Sequence, residues 1–313
     1  MNLPRHVTVV EVGPRDGLQN ESAQVAADPR VGFVDRLSAA GCPVIEVGAF
    51  VSPKWVPQMA GTEQVVASIS RRTGTRYSAL VPNLTGLDRA RAAGLTDVAI
   101  FAAASEAFSR KNINASIDDS LATYRDVCAR AAEYGMRVRA YVSTAFGCPF
   151  EGAVAPEAVG RVARALIEMD AYEVALSDTI GIAHPGQVPA VLGAVRSEGV
   201  PLQRIALHFH DTRGTALANV LAALDLGVTT FDASAGGLGG CPYAPGATGN
   251  LATEDLVYML DGLGVTTGID LASVVAATEF MTAYVGHAPA SRYVAALRAA
   301  RASTPSDAHR SSN

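Results

Sequence analysis

Short runs of β-branched and apolar residues alternate along this chain with longer, alanine-rich stretches of helical period. Read by that pattern, eight strands are predicted: Val7–Val12, Val44–Val47, Tyr77–Leu80, Asp97–Phe101, Arg137–Ser143, Tyr172–Ser177, Ile205–His210 and Thr230–Ala233. Helix punctuation fills the gaps. Ser116 stands before a helix predicted over Ile117–Tyr134, with Asp118 and Asp119 in its first turn and Gly135 just past its end. Pro156 and Pro185 stand where a first helical turn accepts proline. A further helix is predicted over about Leu271–Tyr284, after the eighth strand–helix unit.

Regular alternation of this kind gives a parallel sheet, either doubly wound or closed. Eight units, with no GxGxxG after the first strand, favour a (β/α)8 or TIM barrel of the α/β class with an extra C-terminal helix. No break in composition divides the chain, so residues 1–298 are read as one catalytic domain. The stretch after about Arg298, which ends in ASTPSDAHRSSN, is polar and aperiodic, so 299–313 is expected to be a disordered tail.

A barrel of this type carries its chemistry at the C-terminal ends of its strands. Polar residues able to do chemistry do collect there. Arg15 and Asp16 follow the first strand and Glu46 ends the second. Asn83 follows the third, Asp178 the sixth, and His208 and His210 close the seventh. Cys241 and Asn250 fall in the long loop after the eighth.

Composition removes some functions. A formal net charge of −5 argues against nucleic-acid binding, which calls for a basic face. No run approaches the roughly 20 apolar residues of a membrane span. The N-terminus enters a strand almost at once, leaving no room for a secretory signal, and Cys42, Cys128, Cys148 and Cys241 show neither CxxC spacing nor a disulfide pattern. A reducing cytoplasm is the expected compartment.

Within LHFHDTRG, His208 and His210 lie two apart on a strand, so both imidazoles point to one face, as two ligands of one metal would. Asp16 in GPRDG adds a carboxylate oxygen and Asn250 an amide oxygen. That mixed set suits Mg2+, Mn2+ or Co2+ better than a structural Zn2+ and leaves positions open for substrate oxygens. Arg15 beside it becomes a fixed cationic donor for a developing oxyanion. Glu46, at the end of a buried strand, needs a partner, and Arg15 is the candidate. Asp178 in SDTIG has the same need. Cys241 sits in GGLGGCPYAPGATGN, a glycine- and proline-rich loop read as a gate carrying an acid/base group. The chain's two lysines fall in predicted active-site loops: Lys54 in FVSPKWVPQM, and Lys111, flanked by Arg110 and Asn112, in SRKNIN. Such groups suit a phosphate-bearing substrate such as a coenzyme A thioester.

The stretches EVGPRDGLQNE, FVSPKWVPQM, ASEAFSRKNIN, GCPFEG, SDTIG, HFHDTRG and GGLGGCPYAPGATGNLATEDLVYML together resemble the hydroxymethylglutaryl-CoA lyases, within a wider family of metallo-lyases and condensing enzymes built on a barrel. The HxH and RDG pieces belong to the wider family; the cysteine loop is more specific to the lyases. The resemblance implies metal ligands Asp16, His208, His210 and Asn250. It implies catalytic roles for Arg15, Asp178 and Cys241, with Glu46 and Glu254 in support, and Asp178 with His208 as the hydroxyl base. It further implies a homodimer and cleavage of 3-hydroxy-3-methylglutaryl-CoA to acetyl-CoA and acetoacetate. A lyase for a related 3-hydroxy-dicarboxylyl-CoA, a condensing synthase, and a non-catalytic coenzyme A- or metal-binding protein are the alternatives. Ser177 and Arg213 stand where glycine and tyrosine are expected, Ala49 and Ala115 replace other small residues, and the C-terminal end does not match.

Overall fold

A computed structural model describes residues 3–240 and 249–303. Its eight parallel strands are β1 (Thr8–Glu11), β2 (Val44–Ala49), β3 (Arg76–Leu80), β4 (Asp97–Ala103), β5 (Arg137–Ser143), β6 (Glu173–Asp178), β7 (Ile205–Phe209) and β8 (Thr230–Ala233). Each pairs with the next and β8 pairs with β1, so the sheet closes into a barrel in chain order. All eight predicted strands are present, two with the predicted bounds and the rest with ends displaced by at most two residues.

Strand alternation sorts the side chains into two layers. On β5, Val138, Ala140 and Val142 point out into the main apolar core against the helices. Arg139 and Tyr141 point the other way, and Tyr141 packs with Ala99, Ala175 and Ala206 inside the barrel. The inner space is thus filled by small residues with a few large polar ones among them, and those polar ones become the base of the site.

The helix predicted after Ser116 spans Ile117–Glu133; Ser116 and Asp119 form a reciprocal capping box, and Gly135 follows at φ 66°. Pro156 opens the helix Pro156–Glu168 as expected. Pro185 does not open a helix. It lies in a turn closed by the Gln187 amide on the His184 carbonyl, and the first-turn proline of the helix Val188–Ser197 is Pro189. The added helix, Leu271–Val285, is present, and a second, Arg292–Ser303, follows it. Asp255 starts this last helix: its carboxylate accepts from the Ser291 hydroxyl (2.7 Å) and the Arg292 and Tyr293 amides (3.0 and 2.8 Å). Residues 299–303, expected in a disordered tail, are therefore helical, because a cap supplied from a distant helix carries no local signal. Among the described residues no helix is long and apolar enough to cross a membrane.

Candidate active site

The segment after β1 does not make an ordinary turn. Gly13–Gly17 winds as one π-helical turn, with the Gly17 amide reaching the Val12 carbonyl at 3.1 Å. Ser234 lies so close that a Cβ on Gly17 would come within 2.9 Å of its hydroxyl oxygen. This tight turn sets Arg15 and Asp16 side by side. Arg15 donates from Nε to Glu46 Oε2 and from Nη1 to Asp16 Oδ1, both at 2.6 Å. The partnership expected for Glu46 is therefore present. Burial opposes the Arg15 charge, but Glu46 and then Asp16 outweigh it and hold the guanidinium firmly protonated. Burial likewise opposes the Asp16 charge, and Arg15 and the two histidines overcome it, so its pKa lies far below the usual carboxylate range.

The other Asp16 oxygen, Oδ2, faces His210 Nε2 at 3.7 Å and His208 Nε2 at 3.9 Å, and accepts from Asn250 Nδ2 at 2.9 Å. Asp16, His208 and His210 each offer a ligand atom, and these atoms all lie within 4.8 Å of one another. Asn250 is brought in by the return of the chain after the glycine loop: residue 250 bridges to His210, and the Leu251 amide bonds the Phe209 carbonyl. Two buried atoms in this group lack a protein partner, Asn250 Oδ1 and His210 Nδ1. An acceptor oxygen left unpaired in a buried site is costly unless something else binds it. With two imidazoles, a carboxylate and an amide, the donor set fits a hard or borderline divalent cation.

The return path depends on glycine at one point above all. Gly249 has φ 92°, and a Cβ there would lie 1.9 Å from the Gly239 carbonyl oxygen. Only a residue without a side chain lets the two ends of the loop pass each other and seat Asn250.

Beneath the ligand group runs a buried polar chain. His208 Nδ1 lies 3.1 Å from Asp232 Oδ2, and Arg139 grips both Asp232 oxygens, at 2.7 and 3.1 Å. Arg139 also donates to the Tyr141 hydroxyl at 2.8 Å, and that hydroxyl donates to Glu46 Oε1 at 2.9 Å. Asp232, Arg139 and Tyr141 are functional candidates absent from the sequence-based set. A signal existed: RVRAY places Arg139 and Tyr141 on the same face of a strand whose other face is apolar, and Asp232 interrupts the apolar strand TFDA.

Above these groups opens a cavity of about 750 Å3. Arg15, Asp16, His208, His210 and Tyr141 line it below; Leu80, Phe101, Phe108 and Tyr124 contribute apolar wall. Lys111 and Asn112 line it, and the Lys111 ammonium stands 4.0 Å from the Phe150 ring centre. Lys54 is exposed on the loop whose Trp55 and Val56 reach the cavity, and Arg110 pairs with Glu106 at 3.5 Å; neither is among the lining residues. Asp178 is also set back from the lining, between Ser177 and Thr179, which do contribute. Its carboxylate accepts from the Ile182 and Ala183 amides, at 2.9 and 3.1 Å, and burial raises its pKa against the pull of those amides and the two histidines. Arg213, one of the unexpected residues, holds this same turn by donating to the Ile180 and Gly181 carbonyls. Glu254 lies behind the site, fully buried, accepting from the Gly236 amide and the Thr278 hydroxyl. Cys241 lies outside the described residues.

The profile of the family described as HMGL-like matches residues 6–281. A Pseudomonas aeruginosa protein named 3-hydroxy-3-isohexenylglutaryl-CoA/hydroxy-methylglutaryl-CoA lyase is 52% identical over 299 residues, covering 96% of this chain and 99% of that protein. The crystal structure of hydroxymethylglutaryl-CoA lyase from Pseudomonas aeruginosa superposes with a TM-score of 0.94 at 52% identity, over 96% of this chain and 100% of the other. An HMG-CoA lyase from Acinetobacter baumannii, in complex with coenzyme A and 3-methylmalate, gives 0.88 at 36% identity, over 98% of both chains.

Proposed function

The chain belongs to the HMGL-like family, and on that premise we propose that it is a divalent-metal-dependent lyase that splits 3-hydroxy-3-methylglutaryl-CoA into acetyl-CoA and acetoacetate. One observation carries the reading: the fixed cation of Arg15 and the Asp16–His208–His210 ligand group open into the same cavity.

The bond to be broken joins C2 and C3 of the acyl group. A base removes the C3 hydroxyl proton, the C3–O bond becomes the ketone of acetoacetate, and the bonding pair passes to C2 as the enolate of acetyl-CoA. A divalent ion held by Asp16, His208, His210 and Asn250, with Mg2+ or Mn2+ preferred and Co2+ an alternative, would polarise the substrate's oxygens. Asp178 is assigned as base together with the cavity-lining His208, the register partner of the adjacent Ser177; burial raises the Asp178 pKa, which suits a group that must accept a proton. Arg15, gripped by Glu46 and Asp16, offers a preorganised charge to the enolate oxygen. Cys241, next to the cavity-lining Gly240, is assigned as the donor that protonates C2. Lys111 and Asn112 are assigned to the coenzyme A moiety. Glu46 and Glu254 are supporting residues, the first through Arg15 and the second through the Gly236 backbone. The chain is further proposed to act as a homodimer in the cytoplasm, where its buried free cysteines, Cys42, Cys128 and Cys148, stay reduced.

A second reading concerns the acyl group. The apolar wall of Leu80, Phe101, Phe108 and Tyr124 favours acceptance of a longer C3 branch, as in the substrates named for the Pseudomonas aeruginosa relative. The test is a panel of 3-hydroxyacyl-CoA thioesters, incubated with the purified protein and Mg2+ and assayed for the keto acid released. Acetoacetate from the hydroxymethylglutaryl thioester, lost on chelation and restored by metal, is expected. Product only from a longer-branched member moves the assignment to the second reading, and product from none refutes both. In the same assay Cys241→Ala is expected to slow turnover by orders of magnitude with the circular dichroism spectrum unchanged; near-normal turnover removes Cys241 from its role.

A further inference from the structure

We infer that Asp232, clamped by Arg139, is the positioning residue that fixes the tautomer and ring orientation of His208, and that through Tyr141 and Glu46 the same Arg139 also fixes Arg15. One buried guanidinium would then join the two halves of the site.

Hydrogen-bond valence fixes the His208 tautomer. Asp232 and His208 are register partners on adjacent strands β7 and β8. Buried Asp232 accepts at both oxygens from the Arg139 guanidinium, at 2.7 and 3.1 Å, a bidentate ion pair that leaves neither oxygen carrying a proton. An ionised carboxylate only accepts. The 3.1 Å contact to His208 Nδ1 must therefore be an Nδ1–H donating to Asp232. In a neutral imidazole the lone pair then lies on Nε2, the atom that faces Asp16. Tyr141, edge-on to the His208 ring at 6.0 Å, limits rotation of that ring.

Arg139 is 1% exposed and is not a lining residue of the cavity, so contact with substrate is not its role. Its two Nη atoms serve both halves. Nη2 and Nη1 hold Asp232; Nη1 also supports the Tyr141 hydroxyl, which in turn orders Glu46 beneath Arg15. Nε is taken by Glu173 at 2.7 Å. Planar donors in a fixed fork make this division geometrically strict, which a lysine could not reproduce.

The metal half of this inference rests on the metal-dependent reading proposed above; the tautomer half does not. Two measurements separate them. In metal-free wild-type protein labelled with 15N-histidine, the His208 ring is expected to show a protonated Nδ1 and a lone-pair Nε2. A protonated Nε2 overturns the inference, with no variant needed. Binding of Mn2+ alone, followed by electron paramagnetic resonance, is expected to weaken about 10- to 100-fold in Asp232→Asn at unchanged circular dichroism. Tyr141→Phe leaves the Arg139–Asp232 clamp intact and is expected to hold Mn2+ as the wild type does while kcat falls about tenfold, one lost hydrogen bond's worth. Mn2+ affinity in Asp232→Asn within twofold of wild type overturns the positioning role. If Asp232→Asn fails to fold, Tyr141→Phe decides, since weakened Mn2+ binding there contradicts the division of labour. Absence of Mn2+ binding by the wild type defeats the metal reading instead and leaves the tautomer result standing.

Discussion

Two groups of buried or half-buried carboxylates lie within this barrel, and they behave in opposite ways. Asp16, Glu46 and Asp232 face the inner space and are each held by a guanidinium, Arg15 or Arg139. Glu11 and Glu254 lie just behind, under the start of the loop after β8, and bond only to backbone amides and hydroxyls. Glu11 accepts from the Gly13 and Ala235 amides and the Thr253 hydroxyl; Glu254 accepts from the Gly236 amide and the Thr278 hydroxyl. Burial is complete for Glu11, Glu46 and Glu254, so solvent exposure is not what separates the groups. Charge compensation is. Where a cation is adjacent, Asp16 and Asp232 stay ionised; where only dipoles are available, desolvation pushes Glu11 and Glu254 up to about 7. The first arrangement supplies fixed charge for chemistry, and the second supplies a cradle for the backbone that carries the site.

The sharpest break of this contrast is removal of the compensating charge. Arg15→Gln keeps a donor near Glu46 but deletes the cation in the cavity. The expected loss in kcat is about 10²- to 10³-fold, the scale of a lost oxyanion donor, with the barrel still folded. Steady-state acetoacetate release and circular dichroism check it together. Turnover within threefold of wild type would show that the Arg15 charge is structural, like the cradle behind it.

A second break acts at the place where the two regions meet. Gly249→Ala would drive a methyl into the Gly239 and Gly237 carbonyls, at 1.9 and 2.4 Å, from a φ of 92°. Strain and overpacking of this kind cost about 2–4 kcal/mol. The expected result is a lower Tm together with weaker Mn2+ binding, because Asn250 is the next residue. A loss of Tm with metal binding untouched would separate the cradle from the ligand group.

The same contrast governs what the sequence makes legible. Strand order and the strand-end residues Arg15, Asp16, Glu46, His208 and His210 follow from period and from the barrel's polarity, both local signals read one element at a time. Glu46 is legible through Arg15, the candidate cation at a neighbouring strand end. Arg139, Tyr141 and Asp232 were visible as polar residues in apolar strands, yet their meaning depends on three strands meeting inside a closed barrel, β5, β7 and β8. Glu11 was hidden more deeply: a carboxylate in TVVE reads as the end of a strand, and its partners Ala235 and Thr253 lie more than two hundred residues away. The cap that Asp255 supplies to Arg292–Ser303 was hidden for the same reason.

The finest test concerns the cradle itself. Glu254 has a folded-state pKa of about 7 against an ordinary value near 4.5, so the folded protein holds this proton more tightly than the unfolded chain does. The stability it contributes is therefore complete below about pH 4.5 and is lost progressively as pH rises through 7. Glu254→Gln fixes the neutral form and removes that dependence. The difference in unfolding free energy between variant and wild type should thus move in the variant's favour from pH 5 to pH 8, by roughly 1–3 kcal/mol, since one pKa unit is about 1.4 kcal/mol. Denaturant melts at a series of pH values give the curve directly. Glu11, which adds to the shift through its own charge, should show the same trend in Glu11→Gln. A flat difference would mean that the amides of Gly13, Ala235 and Gly236 compensate these carboxylates as fully as Arg15 and Arg139 compensate theirs, and the distinction between the two regions would collapse to one of position.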